Sequence, residues 1–436
     1  MKISGWMLLM GGVAASGGAW GAQAIDFMFP APVDGKLTME MTRIIKEFNQ
    51  SQQQVEVRGI FTGGYDTTKV KAESAAKAGS PPALVIMSAN FTVDLALKDE
   101  ILPMDELFKF SADKQSATDF LQKNFWPAVQ QNAQVLGRTY AIPFHNSTPI
   151  LYYNRDLFQQ AGISQPPRTW SELAEDAKKL TNKDKGQWGI MIPSTNDDYG
   201  GWMLSALTHA NGGNWSNDNY PGEVYYDTPS ARGALQFWQN LVYRDGVMPA
   251  GVLNTKQISA AFFSGKLGMA LLSTGALGFM RDNSRDFTME VAMMPVQQRQ
   301  AVIIGGASLV SFKGISEAQK AAAYQFLTYL TSPDVNGQWS RFTGYFAPRM
   351  AAYDTPAMKD YLAKDPRAAV ALKQLQYAHP WYATYETVAV RQAMENQLAS
   401  VVTDKSRLVA DAARDAQRQA DEIMKPYVAQ TALKQP

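Results

Sequence analysis

The sequence predicts an α/β protein built from two lobes, and three observations lead to this prediction. Strand-like and helix-like segments alternate between residues 25 and 87. A second alternating set begins near residue 150, with no internal repeat and no low-complexity linker before it. The chain has 436 residues, which is more than one hydrophobic core usually supports.

The amino-terminal elements follow each other at the spacing of β-α-β units. The predicted strands are IDFMF (25–29), VEVRGIF (55–61) and PPALVIM (81–87), and the predicted helices are GKLTMEMTRIIKEFNQ (35–50) and DTTKVKAESAAKAG (66–79). This alternation predicts a largely parallel sheet. A ligand site is then expected beyond the carboxyl ends of its strands.

The second region has well-marked helix starts. A strand at 150–154 precedes a helix at 155–162, and Thr169 with Glu172 forms a predicted capping box for the next helix. Thr228 followed by Pro229 is typical of another helix start. A short helix ending at 260–265 and a strand at 267–272 follow, and from about 315 the chain is predicted to be mainly helical, with a helix opening at Ser332.

The stretch VIIGGASL (302–309) combines a buried strand with two glycines. Its apolar half suits a strand buried on both faces, as in a parallel sheet. We expect Gly305 and Gly306 to end that strand. Glycine lacks a Cβ, so its backbone N–H can approach a ligand closely, although an ordinary turn at the strand end explains the same residues.

The first 24 residues predict a secretory signal peptide. Lys2 is followed by an apolar stretch near residues 7–15, and Ala22-Gln23-Ala24 fits an A-x-A cleavage site. Cleavage after Ala24 predicts an exported protein that starts at Ile25, and a Gram-negative periplasm fits best. The chain has no cysteine, which excludes both a disulfide and a lipid-linked cysteine.

The charge balance argues against nucleic acid and anionic lipid as partners. The chain has 41 basic and 40 acidic residues, and removal of Lys2 with the signal peptide makes the numbers equal. A neutral chain has no global field that attracts a polyanion. Affinity for an anion therefore has to come from local geometry.

Signals of catalysis are missing from the sequence, so we expect no enzyme, no cofactor and no metal. His145, His209 and His379 lie far apart and lack metal-ligand spacing. There is no cysteine nucleophile, no G-x-S-x-G elbow and no P-loop. Convergent sites nevertheless stay open at this level.

Small hydroxyl residues and glycines stand where predicted elements end. They are Ser147 in FHNSTP, Ser273 in LLSTGAL, Gly306 and Ser308 in IIGGASL, and Tyr345 in FTGYFAP. Uncharged donors of this kind suit an anion held in a cleft, although each is also an ordinary turn or cap residue.

Arg391 is unusual because it lies near the start of a predicted helix. Val390, Met394, Leu398 and Val401 form the apolar face of that helix, and Arg391 stands at its edge. A cation there opposes the helix macrodipole, and an anion shared with the first-turn amides would relieve the conflict. A surface arginine that extends to solvent is the alternative.

Several segments together resemble the solute-binding proteins of bacterial ABC importers, of the maltose-binding type. The segments are PFHNSTPILYYNRDLFQQAG (143–162), PPRTWSELAEDAKKL (166–180), FFSGKLGMALLSTGAL (262–277), VIIGGASL (302–309) and TGYFAPR (343–349). Within that family they are most similar to the glycerol-3-phosphate binders, in order along nearly the whole mature chain.

The resemblance implies ligand contacts that mainly surround a phosphate group. They are Tyr65, Ser147, Ser273, Gly306, Tyr345 and Arg391. The glutamate with which the family's glycerol-3-phosphate binders hold the glycerol hydroxyls is missing, because the chain reads Ser88-Ala89-Asn90 there. The tryptophan that lines the glycerol side of the site in the family has no clear counterpart here. Trp202 or Tyr199 can replace it, or Asp198 can bind a ligand hydroxyl. The implied ligand is glycerol 3-phosphate, a glycerophosphodiester or a related phosphate compound.

The resemblance also implies a two-lobe periplasmic binding protein fold of type II, with a hinge and a ligand cleft between the lobes. One lobe is expected from residues 25–145 with about 303–345, and the other from 146–302 with about 346–436. We expect a monomer that closes on its ligand and then docks on an ABC permease in the inner membrane.

Two rival functions stay open. A neutral-oligosaccharide binder of the same fold would stack sugars on aromatic residues, with Trp202, Trp215, Trp381 and Tyr382 as candidates. An exported phosphoesterase would turn over a chromogenic phosphate ester, which a binding protein without metal ligands does not.

Overall fold

The computed structural model describes residues 22–31, 36–197, 199–217, 220 and 222–431. The strands in this part of the chain are β1 (Gln23–Phe29), β2 (Val55–Phe61), β3 (Leu84–Ser88), β4 (Gln134–Val135), β5 (Arg138–Thr139), β6 (Ile142–Ser147), β7 (Pro149–Asn154), β8 (Trp188–Met191), β9 (Leu267–Ser273), β10 (Met289–Met293), β11 (Val302–Val310) and β12 (Ala378–Pro380).

Helices cover both faces of the sheets and dominate the carboxyl-terminal quarter. They are α1 (Leu37–Ser51), α2 (Tyr65–Lys77), α3 (Phe91–Leu97), α4 (Asp105–Phe108), α5 (Ala117–Asn124), α6 (Arg155–Gln160), α7 (Trp170–Leu180), α8 (Tyr199–Ala210), α9 (Pro229–Tyr243), α10 (Thr255–Phe263), α11 (Leu277–Asn283), α12 (Glu317–Leu330), α13 (Pro333–Thr343), α14 (Pro356–Lys364), α15 (Val370–Gln374), α16 (Thr387–Thr403) and α17 (Val409–Thr431).

The predicted helix starts are confirmed. Thr169 and Glu172 form a reciprocal capping box at the start of α7, and the Thr228 side chain accepts a hydrogen bond from the Ala231 amide ahead of α9. Each cap satisfies an amide that the first turn leaves without a helical partner.

The larger sheet has six strands in the order β12-β11-β3-β1-β2, with β6 also paired to β11. β1 is parallel to β2 and to β3, which confirms the parallel arrangement predicted for the amino-terminal strands. β11 is antiparallel to both β3 and β6. VIIGGASL is buried as predicted, but its strand is parallel to β12 and antiparallel to its other two neighbours, so the sheet is mixed around β11.

The smaller sheet has four strands in the order β10-β7-β9-β8. β7 is antiparallel to both of its neighbours, and β8 is parallel to β9. The antiparallel pairing places Pro149 at the start of β7 opposite Ser273 at the end of β9.

Two large hydrophobic cores surround the two sheets. The first core draws its buried side chains mainly from residues 25–144 and 304–346, and the second from 150–303 and 381–424. β11 joins the two, because Val302 and Ile303 pack in the second core while Ile304 and Leu309 pack in the first. The chain crosses between the cores at the end of β6 and within β11. The residue limits given above for the two lobes stay predictions.

The two glycines of β11 do not end the strand, which continues to Val310. Gly306 has φ +101°, and the register between β11 and β6 shifts just after it, at Ala307. A Cβ on Gly306 would lie 2.2 Å from the His145 carbonyl oxygen. Glycine is therefore required by the strand pairing itself, which the sequence alone did not reveal.

Most of the predicted signal peptide lies outside the described residues. Gln23 and Ala24 are described and belong to β1, where they pair with Val55 and Glu56 of β2. Cleavage after Ala24 stays a prediction. Among the described helices, none combines the length and the apolar character that crossing a bilayer requires.

We expect Gly306→Ala to destabilise the protein by about 3–5 kcal/mol, since it adds steric overlap with the neighbouring strand to the strain of a positive φ. Gly251→Ala is the matched control, because Gly251 has φ +112° and no heavy atom within 4 Å of an added Cβ. It should lose only about 1–2 kcal/mol. Urea unfolding followed by circular dichroism measures both variants, and equal losses would contradict the overlap at Gly306.

Candidate functional site

A cavity of about 480 Å³ lies between the two cores. The first core contributes mainly the start of α2 and the loop after α13, and the second contributes the starts of α8 and α10 and the end of β9. The lining residues are Ala31, Gly64, Tyr65, Asp66, Thr67, Ser147, Asp197, Tyr199, Trp202, Thr255, Lys256, Ser273, Gly305, Gly306 and Tyr345.

Eight of the residues predicted from sequence line this one cavity. They are Tyr65, Ser147, Tyr199, Trp202, Ser273, Gly305, Gly306 and Tyr345. They come from six separate elements or loops, so only the fold brings them together. Their contact with a ligand stays a prediction.

Ser88 is a predicted residue that does not line the cavity. Ser88 ends β3 with 1% of its surface exposed, and its hydroxyl donates to the Asn90 side-chain oxygen at 2.8 Å. Asp198 lies outside the described residues, although Asp197 and Tyr199 on either side of it both line the cavity.

Arg391 is fully buried in α16 and does not line the cavity. Its guanidinium Nη2 lies 2.6 Å from the Asp66 carboxylate, and its Nε lies 3.1 Å from the Glu395 carboxylate. In the structure described here carboxylates already surround this charge, and contact between Arg391 and an incoming anion stays a prediction. The sequence could not show this pairing, since Asp66 is 325 positions away.

The Arg391 cluster connects the two cores next to the cavity. Asp66 lies in the first turn of α2, which packs against the first core, and it also lines the cavity. Glu395 accepts a hydrogen bond of 2.9 Å from the Gly201 amide at the start of α8, on the side of the second core. The cluster therefore joins α2, α8 and α16 directly behind the cavity wall.

Ser273 presents a hydroxyl whose local role is defined. Its Oγ accepts a hydrogen bond of 3.0 Å from the Gly275 amide, so the hydroxyl proton can be donated elsewhere. Its own amide donates to the Tyr199 hydroxyl at 2.7 Å, and its carbonyl accepts from the Tyr152 hydroxyl at 2.8 Å. These contacts hold the end of β9 at the cavity.

Tyr65 and Tyr345 line the opposite wall, and a buried histidine lies behind them. The Tyr65 hydroxyl lies 2.9 Å from Nε2 of His145, and the rings of His145 and Tyr345 stack at 4.2 Å. Burial lowers the pKa of His145 to about 3 and raises the pKa of Tyr345. The histidine and Tyr345 are therefore neutral at physiological pH.

The glycines of the site make room for aromatic rings from the other side of the cavity. A Cβ on Gly305 would lie 2.9 Å from ring atoms of Trp202, and a Cβ on Gly275 would lie 2.6 Å from the ring of Tyr345. Gly305 was expected to approach a ligand, but its closest neighbours are the Trp202 indole and the Ser147 hydroxyl.

Asp66, Asp197 and Lys256 line the cavity without having been predicted. Asp66 directly follows the predicted Tyr65 in the sequence. Lys256 is an exposed residue in the first turn of α10, and no sequence feature distinguishes it from other surface lysines. Among the described lining residues, Lys256 is the one with a cationic side chain. The cavity thus combines hydroxyl donors, one lysine and two carboxylates.

The other aromatic candidates for sugar stacking are buried elsewhere. Trp215, Trp381 and Tyr382 pack in the second core with at most 3% of their surfaces exposed, so Trp202 is the member of that set that lines the cavity. Within the described residues, no group of three His, Cys, Asp or Glu side chains is placed to hold a metal ion. The arrangement is suited to binding a small polar molecule by hydrogen bonds.

Comparison with known proteins adds named relatives. The chain is 27% identical over 409 residues to the sn-glycerol-3-phosphate-binding periplasmic protein UgpB of Yersinia pestis, covering 90% of this chain and 89% of the relative. It is 26% identical over 405 residues to UgpB of Pectobacterium atrosepticum, covering 88% of each chain.

Two solved structures share the fold. UgpB of Mycobacterium tuberculosis in complex with glycerophosphocholine has a TM-score of 0.81 and 25% identity, covering 94% of this chain and 100% of that chain. A Thermotoga lettingae ABC transporter solute-binding protein bound with alpha-D-tagatose has a TM-score of 0.79 and 21% identity, covering 92% and 100%. The model of the bacterial extracellular solute-binding protein family matches residues 43–369, and the chain belongs to that family.

Proposed function

We propose that the protein is the periplasmic solute-binding component of an ABC importer and captures a small organic phosphate between its two lobes. Glycerol 3-phosphate and glycerophosphodiesters are the proposed ligands, and a permease in the inner membrane is the proposed partner. The observation that carries the proposal is the convergence of Tyr65, Ser147, Ser273 and Tyr345 on one cavity between the cores.

The hydroxyl groups on the cavity wall support recognition of a phosphate end. Four hydroxyls can donate to phosphate oxygens, and the Lys256 ammonium adds a charge-assisted contact. The proposal does not require direct contact with Arg391. In this reading the Arg391 cluster fixes the position of Asp66 instead.

The two carboxylates on the cavity wall suit a ligand whose second end differs chemically from its phosphate end. Asp66 and Asp197 line the cavity, and a carboxylate accepts hydrogen bonds from hydroxyl or ammonium groups but repels phosphate. A ligand with a phosphate at one end and hydroxyl or ammonium groups at the other satisfies both walls. A glycerophosphodiester with a cationic head group meets this requirement as well as glycerol 3-phosphate does.

Capture of a neutral sugar is the second candidate function, and the aromatic residues on the cavity wall favour it. Tyr65, Tyr199, Trp202 and Tyr345 line the cavity, and aromatic faces with nearby carboxylates suit a sugar ring with many hydroxyls. The phosphate proposal is preferred because the named relatives over most of the chain are glycerol-3-phosphate binders.

A thermal-shift panel should separate the two candidates. It would contain glycerol 3-phosphate, glycerophosphocholine, inorganic phosphate, a phosphonate and maltose, each added to the mature protein. A ligand at 100 times its Kd stabilises the native state by about 2.7 kcal/mol, which raises the melting temperature. We expect a rise with one of the first two compounds and none with maltose, and a rise with maltose alone would contradict the proposal.

Arg391→Ala should act mainly on stability rather than on affinity. Loss of the guanidinium leaves the fully buried Glu395, and also Asp66, without the cation with which both are paired. We expect this loss to lower the free energy of unfolding by about 3–5 kcal/mol. Calorimetry of the ligand-free variant should therefore show a clear fall in the melting temperature.

Lys256→Ala is the matched control for Arg391→Ala. Lys256 is exposed and makes no ion pair with a described residue, so its loss should leave the melting temperature unchanged. The substitution should weaken the binding of glycerol 3-phosphate by about fivefold, because one charge-assisted contact is lost. An unchanged melting temperature for Arg391→Ala, with lost phosphate affinity, would show that Arg391 faces the ligand after all.

A further inference from the structure

The segment from Trp381 to Arg391 touches both halves of the molecule, each half being built around one core, and we call this segment the strap. It runs from the residue after β12 into α16. Trp381, Tyr382 and Val390 pack in the second core, whereas Val388 packs against the first. Because most of its buried side chains belong to the second core, the strap should move with the second half.

A buried carboxylate of the first half binds the strap. Asp94 lies in α3, which packs in the first core, and 1% of its surface is exposed. It accepts a hydrogen bond of 2.8 Å from the Glu386 amide of the strap. The ammonium groups of Lys69 and Lys98 each lie 3.1 Å from the same carboxylate. Lysines of the first half therefore neutralise Asp94, while backbone of the strap uses one of its acceptor positions.

Two ion pairs connect side chains of the strap to the first half. The Lys98 ammonium lies 3.1 Å from the Glu386 carboxylate and 5.4 Å from the centre of the Tyr385 ring. At the end of the strap, the Arg391 guanidinium lies 2.6 Å from the Asp66 carboxylate of α2. The strap is thus held to α3 near its middle and to α2 at its end.

The backbone of Glu386 is strained where it meets the first half. Glu386 has φ +53° and ψ +40°, in the left-handed region. This conformation is unfavourable for a residue with a Cβ, and it persists only where surrounding contacts hold it. Here the amide contact with Asp94 and the ion pair with Lys98 are those contacts. The strained turn directs both the amide and the carboxylate of one residue toward the first half.

We propose that the strap is a latch that keeps the two halves closed around the cavity when no ligand is bound. This inference rests on the proposed function and deepens it, because it concerns the regulation of ligand access. Opening the cavity requires the ion pairs at Glu386 and Arg391 to break. All of these contacts join groups of the protein itself, so they do not depend on a ligand. Asp66 also lines the cavity, which places one end of the latch at the binding site.

The latch has a definite consequence for binding kinetics. A ligand enters the cavity only while the halves are apart, so a population that is mostly closed lowers the observed association rate constant. Weakening the latch adds open molecules, and it destabilises the ligand-bound closed state to the same extent. Association and dissociation therefore both become faster, while Kd changes little as long as the closed form predominates.

Pulsed electron spin resonance tests the latch without any ligand, by measuring the distance between two spin labels in the mature protein. The chain has no cysteine, so Val70→Cys and Val252→Cys supply the two labelling sites. Both valines are exposed, and they lie in α2 and just before α10, helices whose starts line the cavity from opposite halves. We expect one main distance, and a second, longer distance when Lys98→Gln is added.

Glu386→Gly provides a second variant in which folding is not at risk. It removes the ion pair with Lys98 from the other side, and glycine adopts a positive φ without strain. The longer distance should appear in this variant as well. Labels that are already far apart without either substitution, or that stay close in both variants, would overturn the inference.

Stopped-flow binding of glycerol 3-phosphate tests the functional part. We expect Lys98→Gln to raise the association and dissociation rate constants about fivefold each and to leave Kd within about twofold. Lys109→Gln is the matched control, because Lys109 also pairs with two carboxylates, Glu106 and Glu317, but all three lie in the first half. The control should leave both rate constants unchanged.

A weaker Kd for Lys98→Gln with an unchanged association rate constant would also overturn the inference, because the protein would then rest open. Failure of the proposed function has a different signature. If glycerol 3-phosphate does not bind the wild type while the label distance responds to Lys98→Gln and Glu386→Gly, the proposed ligand is wrong and the latch stands.

Discussion

The pairing of β6 with β11 is the constraint on which the site depends. It places Gly305 opposite Ser147 and Gly306 opposite Asn146, at the point where both strands pass from one core to the other. Gly306 has to be glycine there, because the backbone of β6 fills the space of a Cβ. Backbone that belongs to both halves of the molecule therefore forms the floor of the cavity, and side chains from either half reach the same space.

The charges around this floor are arranged in layers. Behind the wall the buried Arg391 cation is paired with the buried Glu395 carboxylate and with Asp66, which lines the cavity, and an unpaired charge at this depth would be costly. Neutral phenols and serine hydroxyls form much of the wall, and Lys256 stands exposed at the start of α10. Since Asp66 belongs to α2 and Arg391 to α16, the same ion pair also ties together the helices of the two halves next to the cavity.

Local signals predicted much of this architecture. The alternation of residues 25 to 87 predicted β1, β2 and β3 with their parallel pairing, and the caps at Thr169 and Thr228 marked two helix starts. The cavity residues were predicted mainly by a family resemblance, since a serine at a strand end has no distinguishing local pattern. Sequence could not show that Asp66 meets Arg391 or that Trp202 covers Gly305, because such contacts depend on the packing of distant segments.

A crystal structure of the mature protein with glycerol 3-phosphate would show which residues hold the phosphate. We expect a phosphate group within hydrogen-bond distance of the Ser147 and Ser273 hydroxyls, with Arg391 still paired to Asp66. A phosphate bound outside the cavity, or a neutral sugar from the expression host filling it, would contradict the proposed function.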